Sequence, residues 1–528
     1  MAAQDTVSAV VCGVDDLKDG EMKEVEVGEG KALLVKDKGT FYAVGHKCTH
    51  YGAPLAKGAF ANGCVRCPWH GACFNVKTGD IEDFPGLDSI PKFDVTIKDG
   101  KVSVSGSQAS FANAKRVKNM CPRDKSNQDV YLIVGGGPAS VEAAETLRQE
   151  GFTGKVVIAT KEAHLPYDRP KLSKAMTVKP EEIALRKSDF YEQHGIEVLT
   201  GMEATSVSVQ DNSVKFSGGQ TISYTKLLLA TGAVPRSIPV PGVDLQNVCM
   251  LRAPEDAAFI VEQGKEKNVV IIGGSFIGME VAAFLAGKAA SVSVIDIVSV
   301  PFQLALGDIV GAALGKMVEA KGVKFYGSSG VKEISGGGGK VTGVVTKDGT
   351  TLPADLVVLG TGVGAATKFL QDSGIQMNKF GQVSVDKYMK TNIENVFAAG
   401  DIVEFPLFTV GDQKVNIGHW QLAHAHGRCA ALNMVKKQTE LRSVPFFWTM
   451  MFGKSLRYTG YGPGYDDVVV HGNTDELKFV AYYTKGDVVV AAASMGLDPI
   501  VSEVAGLLAA GKTISKADIK DNMRGWQK

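Results

Sequence analysis

The sequence predicts a multidomain chain: a small all-β module, an α/β unit with two dinucleotide-binding halves, and an α+β tail. Three observations carry this reading. Residues 1–106 run in short apolar-polar alternations, among them "KALLVKDKGTFYAVG" and "KFDVTIKDGKVSVSG", broken by Asp-Lys-Gly and Lys-Asp-Gly turns, as antiparallel strands do. From Val130 a buried strand, a glycine-rich turn and an amphipathic helix follow one another twice, at "VYLIVGGGPASVEAAETLRQEG" and "NVVIIGGSFIGMEVAAFLAG". Past Val444 strands return ("ELKFVAYYTKGDVVVAAASM") before one helix, opened by Asp498-Pro499 and stopped by Gly511.

The boundaries follow these textures. The all-β module takes residues 1–106, and a polar, basic stretch without lasting periodicity takes 107–128 as a linker. The α/β unit takes 129–440, with its second dinucleotide half at about 250–370, and the tail takes 441–528. A chain of 528 residues is too long for one core and has room for three or four domains of roughly 100–200 residues.

In the first turn Gly135, Gly137 and Ser140 stand in the G-X-G-X-X-(G/A) pattern directly after a strand. Gly135 permits the bend, Gly137 lets backbone approach a pyrophosphate at the helix N-terminus, and the small Ser140 allows close helix-sheet packing. Glu162, after the strand "KVVIAT", is the carboxylate expected at the ribose. The second turn has Gly273, Ser275 and Gly278 in those places, and Asp296 ends the strand "SVSVID" eighteen residues beyond Gly278. No Arg or Lys follows Asp296 closely, so a 2′-phosphate would meet only negative charge and NADH is expected over NADPH.

Cys48 and His50 form a Cys-X-His pair, and Cys67 and His70 a Cys-X-X-His pair. Two thiols and two imidazoles can hold zinc or an iron–sulfur cluster. The Cys-X-His half is tight for most zinc fingers, whereas two loops with one Cys and one His each can give both thiolates to one iron and both imidazoles to a second.

Longer motifs carry a resemblance. "HLPYDRPKLSK" (164–174), "LLLATGAVPR" (227–236), "VVLGTGVG" (357–364) and "VFAAGDI" (396–402), with "HWQLAHAHGRCAALNM" and "FFWTMMFGKSLRYTGYG", resemble the FAD- and NAD-binding pyridine nucleotide oxidoreductases, above all the ferredoxin reductases and apoptosis-inducing factors. "CPWHG" and "FNVKTGDIEDFPG" resemble the Rieske ferredoxins. The resemblance implies that Asp401 binds the flavin's ribityl chain, that Arg169 and Lys174 lie beside the isoalloxazine, and that Glu280 pairs with Lys174. A cation there would steady the anionic reduced ring while the carboxylate positions it. Trp448 matches an aromatic that the family places at the flavin, and it reads equally well as a core residue.

The Rieske resemblance implies a [2Fe-2S] cluster on Cys48, His50, Cys67 and His70. High-potential Rieske proteins carry a disulfide and hydroxyl donors where this chain has Ala53, Trp69, Ala72 and Phe74. Without hydrogen bonds to cluster sulfur the potential should sit near the low end of the Rieske range, about −150 mV. Cys64 and Cys73 read as small buried thiols. The disulfide reductases of the same family use a closely spaced cysteine pair, but only Cys249 and Cys429 fall between residues 130 and 528, which argues against a dithiol relay. The expected activity is transfer of electrons from NADH to FAD, to the chain's own cluster and on to an acceptor such as a redox protein. The rival reading is a redox-responsive signalling protein with little turnover.

Lys plus Arg and Asp plus Glu both total 57, which gives no electrostatic ground for nucleic acid or an anionic membrane surface. Eight scattered cysteines make no disulfide scaffold and suit a reducing compartment. The first thirty residues read as neither signal nor transit peptide, so the sequence suggests the cytoplasm, while the resemblance implies mitochondrial association and admits a homodimer. The most apolar stretch, from Val269, is interrupted by Glu280 and Lys288 and predicts no transmembrane segment. "SGGGGK" (335–340) reads as a hairpin, and His419, His424 and His426 as lining the flavin end of a helix.

Overall fold

The computed structural model describes residues 6–527. Its N-terminal module has a six-stranded antiparallel sheet in the order Thr6–Gly13, Lys101–Ser107, Lys92–Lys98, Thr40–Gly45, Gly30–Asp37, Met22–Val27. A smaller sheet of Ala59–Ala61, Cys64–Arg66, Cys73–Asn75 and Ile81–Asp83 packs beside it. The alternation read from the sequence places Leu33, Val35 and Val44 in a core shared with Val65 and Phe74 of the smaller sheet.

Residues 107–128 are tied at both ends. Ser107 caps the short helix Gln108–Ala112, and Phe111 stacks on Phe93 with ring centroids 4.1 Å apart. Arg116 pairs with Asp80, and the Cys121 N–H donates to the Arg148 carbonyl at 2.9 Å.

Two parallel five-stranded sheets follow. The first is ordered Ile196–Leu199, Lys155–Ala159, Val130–Val134, Lys226–Leu229, Val396–Ala398, and the second Val248–Cys249, Leu356–Leu359, Asn268–Ile272, Ser291–Ile295, Val323–Tyr326. Their continuous Val/Ile/Leu runs suit strands covered on both faces. The Gly-rich stretch before Lys340 is a hairpin: Gly338 and Gly339 take φ of 59° and 83° between strands Val331–Gly337 and Lys340–Thr346, a conformation that glycine adopts without strain. The tail is a five-stranded antiparallel sheet closed by helix Ile500–Ala509, with Pro499 at its cap. Among the described residues no helix is long and apolar enough to cross a membrane.

Candidate active site

Two loops of the N-terminal module bring the four candidate metal ligands together. Cys48 and His50 follow strand Thr40–Gly45, while Cys67 and His70 lie in the turn between Cys64–Arg66 and Cys73–Asn75. The Nδ1 atoms of His50 and His70 are 3.1 Å apart, about the separation of two nitrogens that share one metal at about 2.0–2.1 Å each. Cys48 and Cys67 are buried and their thiols hydrogen-bond each other. Nitrogen thus sits with nitrogen and sulfur with sulfur, which suits a two-iron cluster held by two thiolates and two imidazoles. One zinc would need several donors around a single point, and among the described residues no three His, Cys, Asp or Glu side chains are so placed.

Burial pushes the His50 imidazole down to about 3 and holds His70 well below its ordinary value, so both rings are neutral and keep a nitrogen lone pair for metal. Ala53, Ala72 and Phe74 are buried and carry no hydroxyl. The hydroxyls that the first loop does have point elsewhere: Thr49 donates to the Asp88 carbonyl at 2.6 Å and Tyr51 to Asp168 at 2.7 Å. Cys64 donates to Glu82 at 2.8 Å and Cys73 is buried beside it.

The first glycine turn is closed toward the sheet and open at the helix. A Cβ on Gly135 would lie 2.1 Å from the Ala230 carbonyl oxygen, whereas one on Gly137 would meet open space at the N-terminus of helix Pro138–Gln149. That is the opening a pyrophosphate needs. Ser140 is fully buried and its hydroxyl has no protein partner. Glu162 accepts from the Tyr167 hydroxyl at 2.6 Å and from Arg169 Nη2 at 2.8 Å. Arg169 is thereby tied to the carboxylate expected at the first turn.

Lys174 Nζ donates to Glu280 Oε2 at 2.8 Å, as expected. The buried Glu280 also accepts from the Ser173 hydroxyl and, at 2.7 Å, from the Thr449 hydroxyl. Asp401 follows strand Val396–Ala398, and burial raises its carboxyl against the opposing pull of Arg252 and Arg169. Beside it starts helix Trp420–Met434, packed so tightly on Pro138–Gln149 that a Cβ on Gly427 would lie 2.2 Å from the Ala139 carbonyl oxygen. His419 caps that helix and His424 and His426 lie in its first half. Burial pushes their imidazoles down to about 4, 3 and 3, and His419 Nδ1, both His424 nitrogens and His426 Nε2 lack hydrogen-bond partners, the nearest carboxylate to His424 Nδ1 being Glu142 at 3.7 Å. Neutral rings with unused polar atoms fit the flank of a bound cofactor.

In the second turn a Cβ on Gly273 would lie 2.3 Å from the Gly360 carbonyl oxygen and one on Gly278 2.0 Å from that of Gly273, so neither tolerates a side chain. Ser275 caps helix Phe276–Leu285, and Asp296 Oδ2 accepts the Gly274 N–H, which holds the carboxylate at the turn.

Residues 129–427, more than half of the chain, match the family model described as pyridine nucleotide-disulphide oxidoreductase. The chain belongs to that family. Residues 8–94 match the Rieske [2Fe-2S] domain and 446–525 the reductase C-terminal domain. The chain is 51% identical to human apoptosis-inducing factor 3 over 522 residues, 98% of this chain and 86% of that protein. The structure resembles a ferredoxin reductase from Rhodopseudomonas palustris (TM-score 0.71, 28% identity, 75% of this chain and 98% of that one). It also resembles the covalent putidaredoxin reductase-putidaredoxin complex (TM-score 0.70, 28% identity, 73% and 94%). This member of the family is a ferredoxin reductase-like NAD(P)H oxidoreductase with a Rieske domain, which implies FAD, NAD(P)H and a [2Fe-2S] cluster.

The oxidoreductase and its Rieske domain meet at the histidines. Trp448, on strand Phe446–Met451, lies with its ring 4.3 Å from that of His70 and 5.7 Å from that of His50. Neighbouring strand residues face opposite ways, so Thr449 turns to Glu280 while Trp448 turns to the histidines. Arg457 Nε donates to the Trp69 carbonyl at 3.1 Å and the Ser502 hydroxyl to that of Cys67 at 2.9 Å. Arg186 bridges Asp88 of the Rieske domain (2.7 Å) and Glu145 of the flavoprotein (2.8 Å), all three nearly buried. These cross-domain partners had no signal in the sequence beyond residue type.

Proposed function

We propose that this chain is an NADH-dependent oxidoreductase in which bound FAD and a [2Fe-2S] cluster relay electrons from NADH to a one-electron acceptor outside the chain. The observation that supports it best is the strand Phe446–Met451, where Thr449 binds Glu280 of the Lys174 pair and the adjacent Trp448 lies against both cluster histidines. Lys174 supplies a positive charge, Glu280 fixes it, and Trp448 packs the same strand against His70. Gly135, Gly137, Ser140, Glu162, Arg169 and Asp401 would hold FAD. Gly273, Ser275, Gly278 and Asp296 would hold the nicotinamide dinucleotide, with Asp296 favouring NADH. Cys48, His50, Cys67 and His70 would hold the cluster. The cysteines, free among the described residues, fit a reducing compartment.

Anaerobic stopped-flow with NADH tests the reading. Flavin bleaching followed by loss of the oxidised cluster's absorbance supports it, together with a kcat/KM at least tenfold higher for NADH than for NADPH. A reduced flavin that leaves the cluster oxidised would overturn it in favour of a redox-responsive signalling role, the reading suggested by the name of the human relative. Equal efficiency with the two dinucleotides would overturn the role of Asp296.

A further inference from the structure

In this structure the Rieske domain keeps its histidine edge turned toward the flavoprotein, with His70 under Trp448. An acceptor outside the chain therefore meets the flavoprotein at that edge, and the thiol side is closed, since Cys48 and Cys67 are 2% and 1% exposed. Of the rings packed on the two half-buried histidines, that of Tyr51 is the most exposed. Tyr51 stacks on His50 with ring centroids 3.8 Å apart and planes 17° from parallel, yet it is 42% exposed. Beyond it Gly52 is exposed at φ 76°, and a Cβ there would meet open space, so Tyr51 and Gly52 form an open loop tip.

The charge around this tip has one sign at the surface. Lys171 Nζ lies 5.4 Å from the Tyr51 ring centroid, and Lys115 Nζ lies 3.8 Å from Asp88, whose carbonyl accepts from Thr49 next to His50. The nearby carboxylates are sunk and paired. Asp168 is 8% exposed and accepts from Tyr51, with Lys171 3.8 Å away, while Asp88 is 6% exposed and held by Arg186 and Lys115. The side chain of Lys115 is 58% exposed and that of Lys171 33%.

We propose that the external acceptor is an acidic one-electron protein that docks over Tyr51, the tyrosine ring joining the cluster's His50 side to the surface. This rests on the function proposed above. Each NADH gives up two electrons as it becomes NAD+ and releases one proton to solvent, so two acceptor molecules are each reduced by one electron.

Cytochrome b5, an acidic haem protein, serves as the probe, with basic cytochrome c as the control. Oxidised cytochrome b5 titrated into the oxidised holoprotein should bind, and added salt should weaken that binding. Lys115→Glu with Lys171→Glu should lower the low-salt affinity and the second-order rate of cytochrome b5 reduction by about tenfold, with cluster reduction by NADH unchanged. Tyr51→Leu, checked for cluster content by its visible spectrum, should slow cytochrome b5 reduction and leave its affinity intact. Wild-type binding and reduction in the lysine variant, or tighter binding of cytochrome c than of cytochrome b5, would overturn the docking surface. A wild-type cluster that NADH fails to reduce would overturn the proposed function instead, and the titration would still test the surface.

Discussion

Replacing Lys174 with methionine removes one partner of a nearly buried ion pair. Glu280 keeps a side chain only 3% exposed and that of Lys174 is 17% exposed, so the carboxylate left behind cannot be rehydrated without opening the junction. Breaking such a pair costs about 3–5 kcal/mol, and the donors that Glu280 retains from Ser173 and Thr449 put this case near the lower end, about 3 kcal/mol. Lys174→Met with Glu280→Gln removes both charges and leaves an amide that the two hydroxyls can still satisfy, so the double variant should lose only about 1 kcal/mol. Urea unfolding of the holoprotein, followed by flavin release and by tryptophan fluorescence, measures all four corners of the cycle. The expected result is a coupling of at least about 2 kcal/mol with an unchanged m value. Additive single effects, within about 0.5 kcal/mol, would refute the claim that the pair is a unit.

Two further outcomes follow. With Thr49 and Tyr51 donating to Asp88 and Asp168, the cluster should titrate near the low end of the Rieske range, about −150 mV, and a potential above about +100 mV in a redox titration would contradict this. Burial raises the Glu142 carboxyl from 4.5 to about 7, against the pull of Arg428 and Arg186. The folded state thus holds a proton that the unfolded state has lost, so this contribution is full below pH 4.5 and fades as pH rises through 7, by about 3 kcal/mol in all. Glu142→Gln should flatten that part of the stability-pH curve, and an unchanged slope between pH 5 and 7 would count against it.

The four candidate cluster ligands come together as the spacing suggested, because each loop holds its Cys and His within three or four consecutive residues, which local chain geometry converts directly into proximity. The two glycine turns were legible for the same reason, and the contacts a Cβ would make at Gly135 and Gly273 show why glycine stands there. Lys174 and Glu280 are far apart in sequence and came from resemblance rather than spacing; the structure joins them at 2.8 Å. Arg169, from the same motif, reaches Glu162, a contact that neither the motif nor its spacing states. Trp448 against His70, and Arg186 between Asp88 and Glu145, depend on how distant parts of the chain pack, and no local pattern encodes that.

The account rests on a Rieske domain held in place against its own flavoprotein. Anaerobic stopped-flow of the holoprotein mixed with NADH, repeated over a hundredfold range of protein concentration, tests this directly. The account predicts a first-order rate of cluster reduction that does not change with protein concentration, and a rate that rises in proportion to it would contradict the account.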